Sequence, residues 1–260
     1  MDFTDLLKTR AYDLGQPYFP GMPHFPSHPP FLYSLTKKHG DLLYSGGATS
    51  AADAIALGTH VGTHIDALSH FSCNGVFYGG HTVEHSYERG MAELGMETVV
   101  PIVRRGVLLD IAGLEGVDIL PADFEVTPDH LSRASHTEIN EGDVVLLRTG
   151  WARYFSDGKR YINNTVAPGP GMEGARWLSS RKIFAAGSDT VVFEKTPSPA
   201  MSVHTHLLVE SGIHIIEVLN LEELARDHVA EFVFVAAPMN IQGGTGAPVR
   251  PLAFPKSQGT

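Results

Sequence analysis

The chain has 260 residues, of which 43% are hydrophobic and 18% are charged, an ordinary composition for a globular protein with a sizeable core. Nineteen Lys and Arg against 29 Asp and Glu give a net charge of −10 without a basic stripe, which argues against nucleic acid and anionic membranes as partners. No apolar run reaches the ~18 residues needed to span a bilayer, and the N-terminal segment lacks a signal-peptide core, so we expect a cytoplasmic protein.

The first informative segment is a cluster of metal-ligand side chains: His60, His64, Asp66 and His70. All four occupy even positions, so an extended backbone would send the first three to one face. A helical turn after Asp66 would keep Asp66 and His70 together. Imidazole nitrogen and carboxylate oxygen are ligands of Zn²⁺ and Mn²⁺. The cluster therefore predicts a metal site, the alternative being several unrelated core or surface histidines.

The chain contains a single cysteine, Cys73, three residues beyond His70. One cysteine excludes an intramolecular disulfide and a zinc site built from several cysteines. A nucleophilic role is one hypothesis for it, but a free cysteine is more commonly a small buried hydrophobic residue, and we expect that here.

The rest of the chain alternates apolar strands with amphipathic helices. Thr127 before Pro128 is typical of a helix N-cap followed by the first helical residue. The alternation predicts an α/β fold, and the Pro/Gly-rich loops do not divide it, so we expect one domain over residues 1–260. Strands are predicted at 106–111, 144–147 and 231–236, and helices at 128–133 and 172–181.

A glycine motif offers an alternative function. Gly169 to Gly174 satisfies GxGxxG, and Asp189 lies twenty residues beyond the first glycine, as in a dinucleotide-binding fingerprint. Such a fingerprint must follow a strand directly, and Pro168 interrupts any strand before it. A dinucleotide-dependent enzyme is therefore an alternative hypothesis, and we interpret the glycines as the start of a helix.

A second cluster of ligand types contains His204, His206 and, further on, Glu217. Ser202 can cap a helix over Val203 to Ser211. On that helix His204 shares a face with the apolar Leu208, while His206 points elsewhere.

Glu217 follows an apolar segment. Gly212 is expected to end the preceding helix, and Ile213 to Ile216 is predicted to be a buried strand that carries Glu217 at its end. An ionised carboxylate in such surroundings is costly unless it has a partner or binds a metal. Glu217 is therefore a candidate ligand rather than a solvated surface carboxylate.

Residues 58–71 resemble the HxGTHxDxxxH signature of the cyclase-type metal-dependent hydrolases, the superfamily of bacterial kynurenine formamidase and isatin hydrolase. The resemblance runs from about Tyr12 to Pro251. It departs at Leu68, where the family commonly has proline, and at Val218, where it has asparagine. The other similar stretches are YDLGQPYFPGMP at 12–23, TGW at 149–151, AAGSDT at 185–190 and SVHTHLLVESGIHIIEVLNL at 202–221.

The resemblance implies a swivelling β/β/α-type fold around a barrel-like sheet, in homodimers or homotetramers. It assigns general acid/base chemistry to His70. Alignment on the leucine pair makes His204 the family-equivalent ligand, but one extra residue before Glu217 leaves His206 open. The implied ligands of one or two Zn²⁺ or Mn²⁺ ions are His60, His64, Asp66, His204 and Glu217.

These features together predict a metal-dependent hydrolase that cleaves an amide, lactam or related carbonyl bond of a small molecule, such as an arylformamide or an isatin-like lactam. A metal-stabilised ligand-binding protein without catalysis is the alternative that uses the same ligands. The spare imidazole of His70 distinguishes the two, because proton transfer requires it and binding does not.

Overall fold

A nine-stranded sheet forms the centre of the computed structural model, which describes residues 8–255; residues 1–7 and 256–260 of the predicted domain lie outside this range. The strands are β1 (Tyr12–Asp13), β2 (Leu32–Lys37), β3 (Ala52–Ala56), β4 (His64–Asp66), β5 (His85–Ser86), β6 (Gly90–Met91), β7 (Ile102–Asp110), β8 (Glu125–Val126), β9 (Val144–Arg148), β10 (Gly169–Pro170), β11 (Ala185–Ser188), β12 (His214–Glu217), β13 (Glu231–Ala236), β14 (Gly246–Pro248) and β15 (Leu252–Pro255). The α-helices are α1 (Ile111–Leu114), α2 (Pro128–Ala134), α3 (Gly158–Ile162), α4 (Met172–Ser179), α5 (Ser202–His204) and α6 (Glu222–Arg226), and Thr205–Glu210 continues α5 as a π-helix.

The order of strands in the large sheet is β1-β15-β13-β7-β9-β11-β12-β4-β14. The four central strands β7, β9, β11 and β12 run parallel, and the outer strands pair antiparallel. The sheet curls into a half-barrel, so the predicted α/β fold around a barrel-like sheet is confirmed. Among the described helices, none combines the length and apolar character that a membrane span requires.

The central strands are buried on both faces. Leu109 and Leu147 pack in the cluster that contains side chains of α2, α4 and the π-helix. Leu108 and Leu146 pack on the opposite face with Phe232 of β13. Burial on both sides explains why these strands read as continuous apolar runs rather than as alternating patterns. Each fully buried Leu contributes roughly 1.5–3 kcal/mol of transfer free energy to folding.

The strands and helices predicted from long apolar patterns are confirmed. The Thr127 hydroxyl accepts a hydrogen bond from the backbone N–H of His130 and so caps α2, as expected. Strand β7 begins at Ile102, four residues before the predicted start. The prediction missed these residues because Arg104 and Arg105 interrupt the apolar pattern. The Arg105 guanidinium donates to the Asp143 carboxylate, so this charged residue has an ionic partner within the sheet.

The glycine motif has a packing role. Strand β10 consists of the first two motif residues, so the motif does not follow a strand, and α4 begins inside it. A Cβ on Gly169 would lie 2.5 Å from the carbonyl oxygen of Phe193. Asp189 is fully buried and accepts hydrogen bonds from the backbone N–H groups of Thr149 and Gly150. The interpretation of the glycines as the start of a helix is confirmed.

Candidate metal centre

The pairing of β4 with β12 brings the two candidate clusters together. His64 and Glu217 are directly opposite each other in this antiparallel pair, so their side chains share one face. His64 Nε2 lies 3.4 Å from Glu217 Oε2 and 3.6 Å from Asp66 Oδ1. All three side chains are buried. Two distant parts of the sequence thus supply one site.

His60 reaches this site from a turn. The prediction of an extended stretch from His60 to Asp66 was wrong, because only the last three residues form a strand. Gly62 has a φ of +69°, and a Cβ there would lie 2.5 Å from the Tyr18 ring, so the turn requires glycine. The turn places His60 Nδ1 2.8 Å from Asp66 Oδ1.

His70 is carried back to the site by a tight turn rather than by the predicted helical turn. Its backbone N–H donates to the carbonyl oxygen of Ala67 at 2.9 Å. Its ring stacks on the His60 ring, with centroids 3.8 Å apart and planes at 24°. One potential ligand atom from each of His60, Asp66 and His70 lies within 4.8 Å of the others.

His204 is contributed by α5. Its Nε2 lies 3.3 Å from Glu217 Oε1, and a second group of potential ligand atoms within 4.8 Å consists of Asp66, His204 and Glu217. The expected cap at Ser202 was wrong: Met201 holds the N-cap position with a φ of +45° and no side-chain cap. Glu194 instead accepts a hydrogen bond from the His204 backbone N–H at 2.8 Å.

The structure distinguishes His204 from His206. His204 and Leu208 are both buried, as their shared face predicted. His206 lies apart from the cluster, with Nε2 2.8 Å from Ser179 Oγ and Nδ1 2.6 Å from Glu210 Oε2. The structure therefore brings His204, and not His206, to Glu217.

Three of the four histidines in the cluster, His60, His64 and His204, each have one ring nitrogen that contacts a group outside the cluster. His64 Nδ1 donates to the carbonyl oxygen of Gly62 at 2.8 Å. His204 Nδ1 lies 2.7 Å from Glu194 Oε2, and His60 Nε2 lies 2.9 Å from Thr245 Oγ1. The other nitrogen of each ring faces a carboxylate of the site, the arrangement typical of histidines that bind metal.

Sequence reasoning missed two of these outer partners. Glu194 could have been found by the signal used for Glu217, because it too is a carboxylate directly after an apolar run, Val191 to Phe193. Thr245 lies in a Gly-rich loop next to β14 and carries no comparable signal.

The electrostatics of the cluster require positive charge among its carboxylates. Burial alone would raise the pKa of Asp66, but the surrounding imidazoles, including a hydrogen bond from His60, hold it well below its usual range. Burial opposes ionisation of Glu217 too, yet hydrogen bonds from His204 and His64 lower its pKa to about 2. Both carboxylates are therefore ionised at neutral pH.

The imidazoles of the cluster differ from one another. Burial disfavours a charged His204, but its hydrogen bonds to Glu194 and Glu217 raise its pKa to about 10. His70 behaves oppositely: burial lowers its pKa to about 3, and Asp66 offsets only part of this effect. His70 is therefore neutral at physiological pH.

The residues present fit a divalent cation. Asp66 Oδ2 is buried and has no hydrogen-bond partner among the described residues. A neutral His64 that donates through Nδ1 turns its Nε2 lone pair towards two carboxylates, an arrangement that a cation would stabilise. The donor set of imidazoles and carboxylates suits a transition metal, as the sequence predicted, and does not by itself select the ion.

Cys73 does not have the expected environment. It is exposed rather than buried, so the expectation of a small buried hydrophobic residue was wrong. The cause is local: Cys73 pairs with Val76 in an isolated bridge on a largely exposed loop.

Residues 12–195 match the model of the Cyclase family, described as putative cyclases. The match covers more than half of the chain, and the chain belongs to this family. The family predicted from residues 58–71 is thereby confirmed.

Two curated relatives have assigned activities. Isatin hydrolase of Roseibium aggregatum is 27% identical over 220 residues, covering 81% of this chain and 77% of that protein. Kynurenine formamidase of Bacillus thuringiensis subsp. konkukian is 26% identical over 255 residues, covering 96% of this chain and all of that protein. Both names describe hydrolases, and a formamidase cleaves an amide bond.

Solved structures support the same relationship. A novel cyclase superimposes with a TM-score of 0.87 at 26% identity, covering 96% of this chain and 88% of that chain. Isatin hydrolase A from Labrenzia aggregata, bound to benzyl benzoate, superimposes with a TM-score of 0.75 at 26% identity, covering 98% and 99%. A homologous structure therefore holds a small aromatic molecule.

Proposed function

We propose that this protein is a metal-dependent hydrolase that cleaves an amide, lactam or related carbonyl bond of a small aromatic molecule, such as an arylformamide or an isatin-like lactam. The observation that carries the proposal is the cluster of imidazoles around two buried, ionised carboxylates, one of which has an oxygen without a hydrogen-bond partner within residues 8–255. The activities named for the relatives supply the reaction class.

The proposed ligands come from three elements of the fold. His64 and Asp66 lie on β4, Glu217 lies at the end of β12, and His204 ends α5. His60 joins them from the turn before β4. One or two Zn²⁺ or Mn²⁺ ions held by these residues would supply Lewis-acid chemistry, polarising a substrate carbonyl and lowering the pKa of a bound water.

His70 is the proposed general acid/base. Its ring stacks on a proposed ligand, and no hydrogen bond joins its ring nitrogens to another side chain or backbone group between residues 8 and 255. A neutral imidazole without a protein partner can accept a proton from the attacking water and return it to the leaving group. A protein that only binds its ligand would not require this group.

The surroundings of the cluster suit an aromatic substrate. Phe71 lies beside both His70 and His204, with ring centroids 4.9 and 5.0 Å away. His28 packs edge-on against His60 at 5.4 Å, and Phe25 packs edge-on against His28. Aromatic rings bind planar aryl groups by offset or edge-on contacts.

The test has two stages. Elemental analysis of the wild-type protein should find roughly stoichiometric Zn²⁺ or Mn²⁺, and His64→Ala should lose it. The metal-loaded enzyme is then screened against N-formyl arylamines, isatin-like lactams, other cyclic amides and lactones. Negligible metal in the wild-type protein, even after loading with either ion, would refute the proposal.

We further propose that the chain forms one domain that works in the cytoplasm as a homodimer or homotetramer. Strands from both ends of the described chain, β1 and β15, pair in the same sheet, which supports one domain. The exposed free thiol of Cys73 suits a reducing compartment. An exposed hairpin with apolar side chains, formed by β2 and β3, supports self-association. Light scattering and cell fractionation test these statements.

A further inference from the structure

Glu194 is a buried carboxylate on the loop between β11 and α5, and only 1% of its surface is exposed. Its Oε2 accepts two hydrogen bonds from one residue: His204 Nδ1 lies 2.7 Å away and the His204 backbone nitrogen 2.8 Å away. Its Oε1 accepts a hydrogen bond from the Ser198 hydroxyl. One carboxylate oxygen of Glu194 therefore binds Ser198, and the other binds His204.

These contacts decide how the His204 ring is presented to the site. An ionised carboxylate accepts hydrogen bonds and cannot donate them, so Nδ1 must carry the proton. The other ring nitrogen, Nε2, lies 3.3 Å from Glu217 Oε1 and is the atom left to give up its proton and bind a cation. A carboxylate behind an imidazole also increases the basicity of the opposite nitrogen and fixes the ring plane.

We infer that Glu194 is a positioning residue for the metal centre: through Nδ1 it orients His204 and makes Nε2 a stronger ligand. The inference rests on the proposed metal-binding function. It extends that function to a residue that itself touches neither ion nor substrate.

Glu194 could instead serve only as the N-terminal cap of α5, because it accepts the His204 backbone N–H where Met201 offers no side-chain cap. A cap stabilises the helix whether or not a metal is bound. A positioning residue acts on metal affinity, and only while the His204 ring is present. Loss of a cap would therefore change helix stability with or without metal, whereas loss of a positioning residue would change metal affinity.

The principal variant is Glu194→Gln, which keeps the size of the side chain and one carbonyl acceptor but removes the charge. We expect its affinity for Zn²⁺, measured by competition with a chromophoric chelator, to fall by about 10- to 100-fold. The matched control is Glu210→Gln. Glu210 pairs with the neighbouring His206 through the same kind of contact, 2.6 Å from Nδ1, but outside the cluster. Its removal should leave Zn²⁺ affinity unchanged.

A double-mutant cycle separates positioning from capping. In a His204→Ala background the backbone N–H of residue 204 is retained and the ring is lost. We expect Glu194→Gln to have no further effect on Zn²⁺ affinity there. An equal loss of affinity in both backgrounds would assign Glu194 to the helix cap and overturn the inference. Unchanged affinity in the single variant would overturn it too, while a wild-type protein that binds no metal would refute the proposed function itself.

A measurement on the unmodified protein covers the case in which Glu194→Gln does not fold. Nitrogen-15 NMR of the Zn²⁺-loaded wild-type protein reports which nitrogen of each histidine carries a proton. We expect His204 to show a protonated Nδ1 and a metal-bound Nε2. Metal on Nδ1, or a protonated Nε2, would overturn the inference.

Discussion

His60 and His70 are stacked histidines with different partners. His60 contacts Asp66 through one ring nitrogen and Thr245 through the other. The His70 ring stacks on the His60 ring but makes neither of these hydrogen bonds. The structure thus separates a ring with a hydrogen-bond partner at each nitrogen from a ring with none among the described residues.

We predict that His70→Ala keeps its metal but loses turnover by about 10²-fold or more, the typical contribution of a general acid/base. Metal content by elemental analysis and turnover of a substrate found by screening check the two halves. His206→Ala is the matched control, because this histidine lies outside the cluster; it should retain both metal and turnover. Loss of metal in His70→Ala would make His70 a ligand, in the group it forms with His60 and Asp66.

The metal centre joins secondary-structure elements that are distant in the chain. Strand β4 lies between β12 and β14 at one end of the sheet, and α5 lies just before β12 in sequence. Only a few residues of each element contact the other, since β4 has three residues and β12 has four. We therefore expect their mutual position to depend on the proposed metal ligands as well as on backbone pairing.

We predict that removing the metal loosens these elements together. Chelation should reduce the hydrogen-exchange protection of residues 59–71 and 203–219 in parallel, because a ligand that binds only the native state stabilises every element that supplies a contact. Helix α2 supplies no proposed ligand and serves as the internal control. Loss of protection in only one of the two segments would argue against a shared ion.

We also predict that Glu217→Gln lowers metal affinity by at least about 10-fold.

The hairpin formed by β2 and β3 is exposed at almost every residue. Tyr33, Leu35 and Ile55 lie on one face of it and are 47–55% exposed. An isolated two-stranded hairpin is marginally stable in water, and apolar side chains on it favour burial against a partner. In a homo-oligomer, this surface would be covered by another copy.

We predict that the double variant Leu35→Asp with Ile55→Asp shifts the protein towards the monomer, because burying two carboxylates in an apolar interface is unfavourable. Size-exclusion chromatography with light scattering measures the change across a range of concentrations. Met239→Asp alters an exposed apolar residue outside the hairpin and should not change the mass. A variant with the wild-type mass would place the interface elsewhere.

The local features of the fold follow from neighbouring residues alone. Apolar runs specified β9, β12 and the second half of β7, since a strand buried on both faces needs little information beyond its own residues. The alternating burial of β13 was also specified, by the Phe and Val residues of its EFVFVA sequence. Thr127 and Pro128 specified the start of α2. The types of metal-ligating side chain were also evident, because imidazoles and carboxylates this close together are unusual outside such sites.

How these parts meet depends on contacts between distant segments, which become visible only in the folded chain. The strand order places β12 next to β4, and this pairing sets His64 opposite Glu217; no local pattern encodes a neighbour so far away in the chain. The turn geometry around His60 and His70 differs from the regular strand and helix expected, because tight turns depend on close contacts such as that of Gly62 with Tyr18. The contact between Glu194 and His204 also forms between two separate segments of the chain. The sequence indicates only that each segment contains a buried polar group that needs a hydrogen-bond partner.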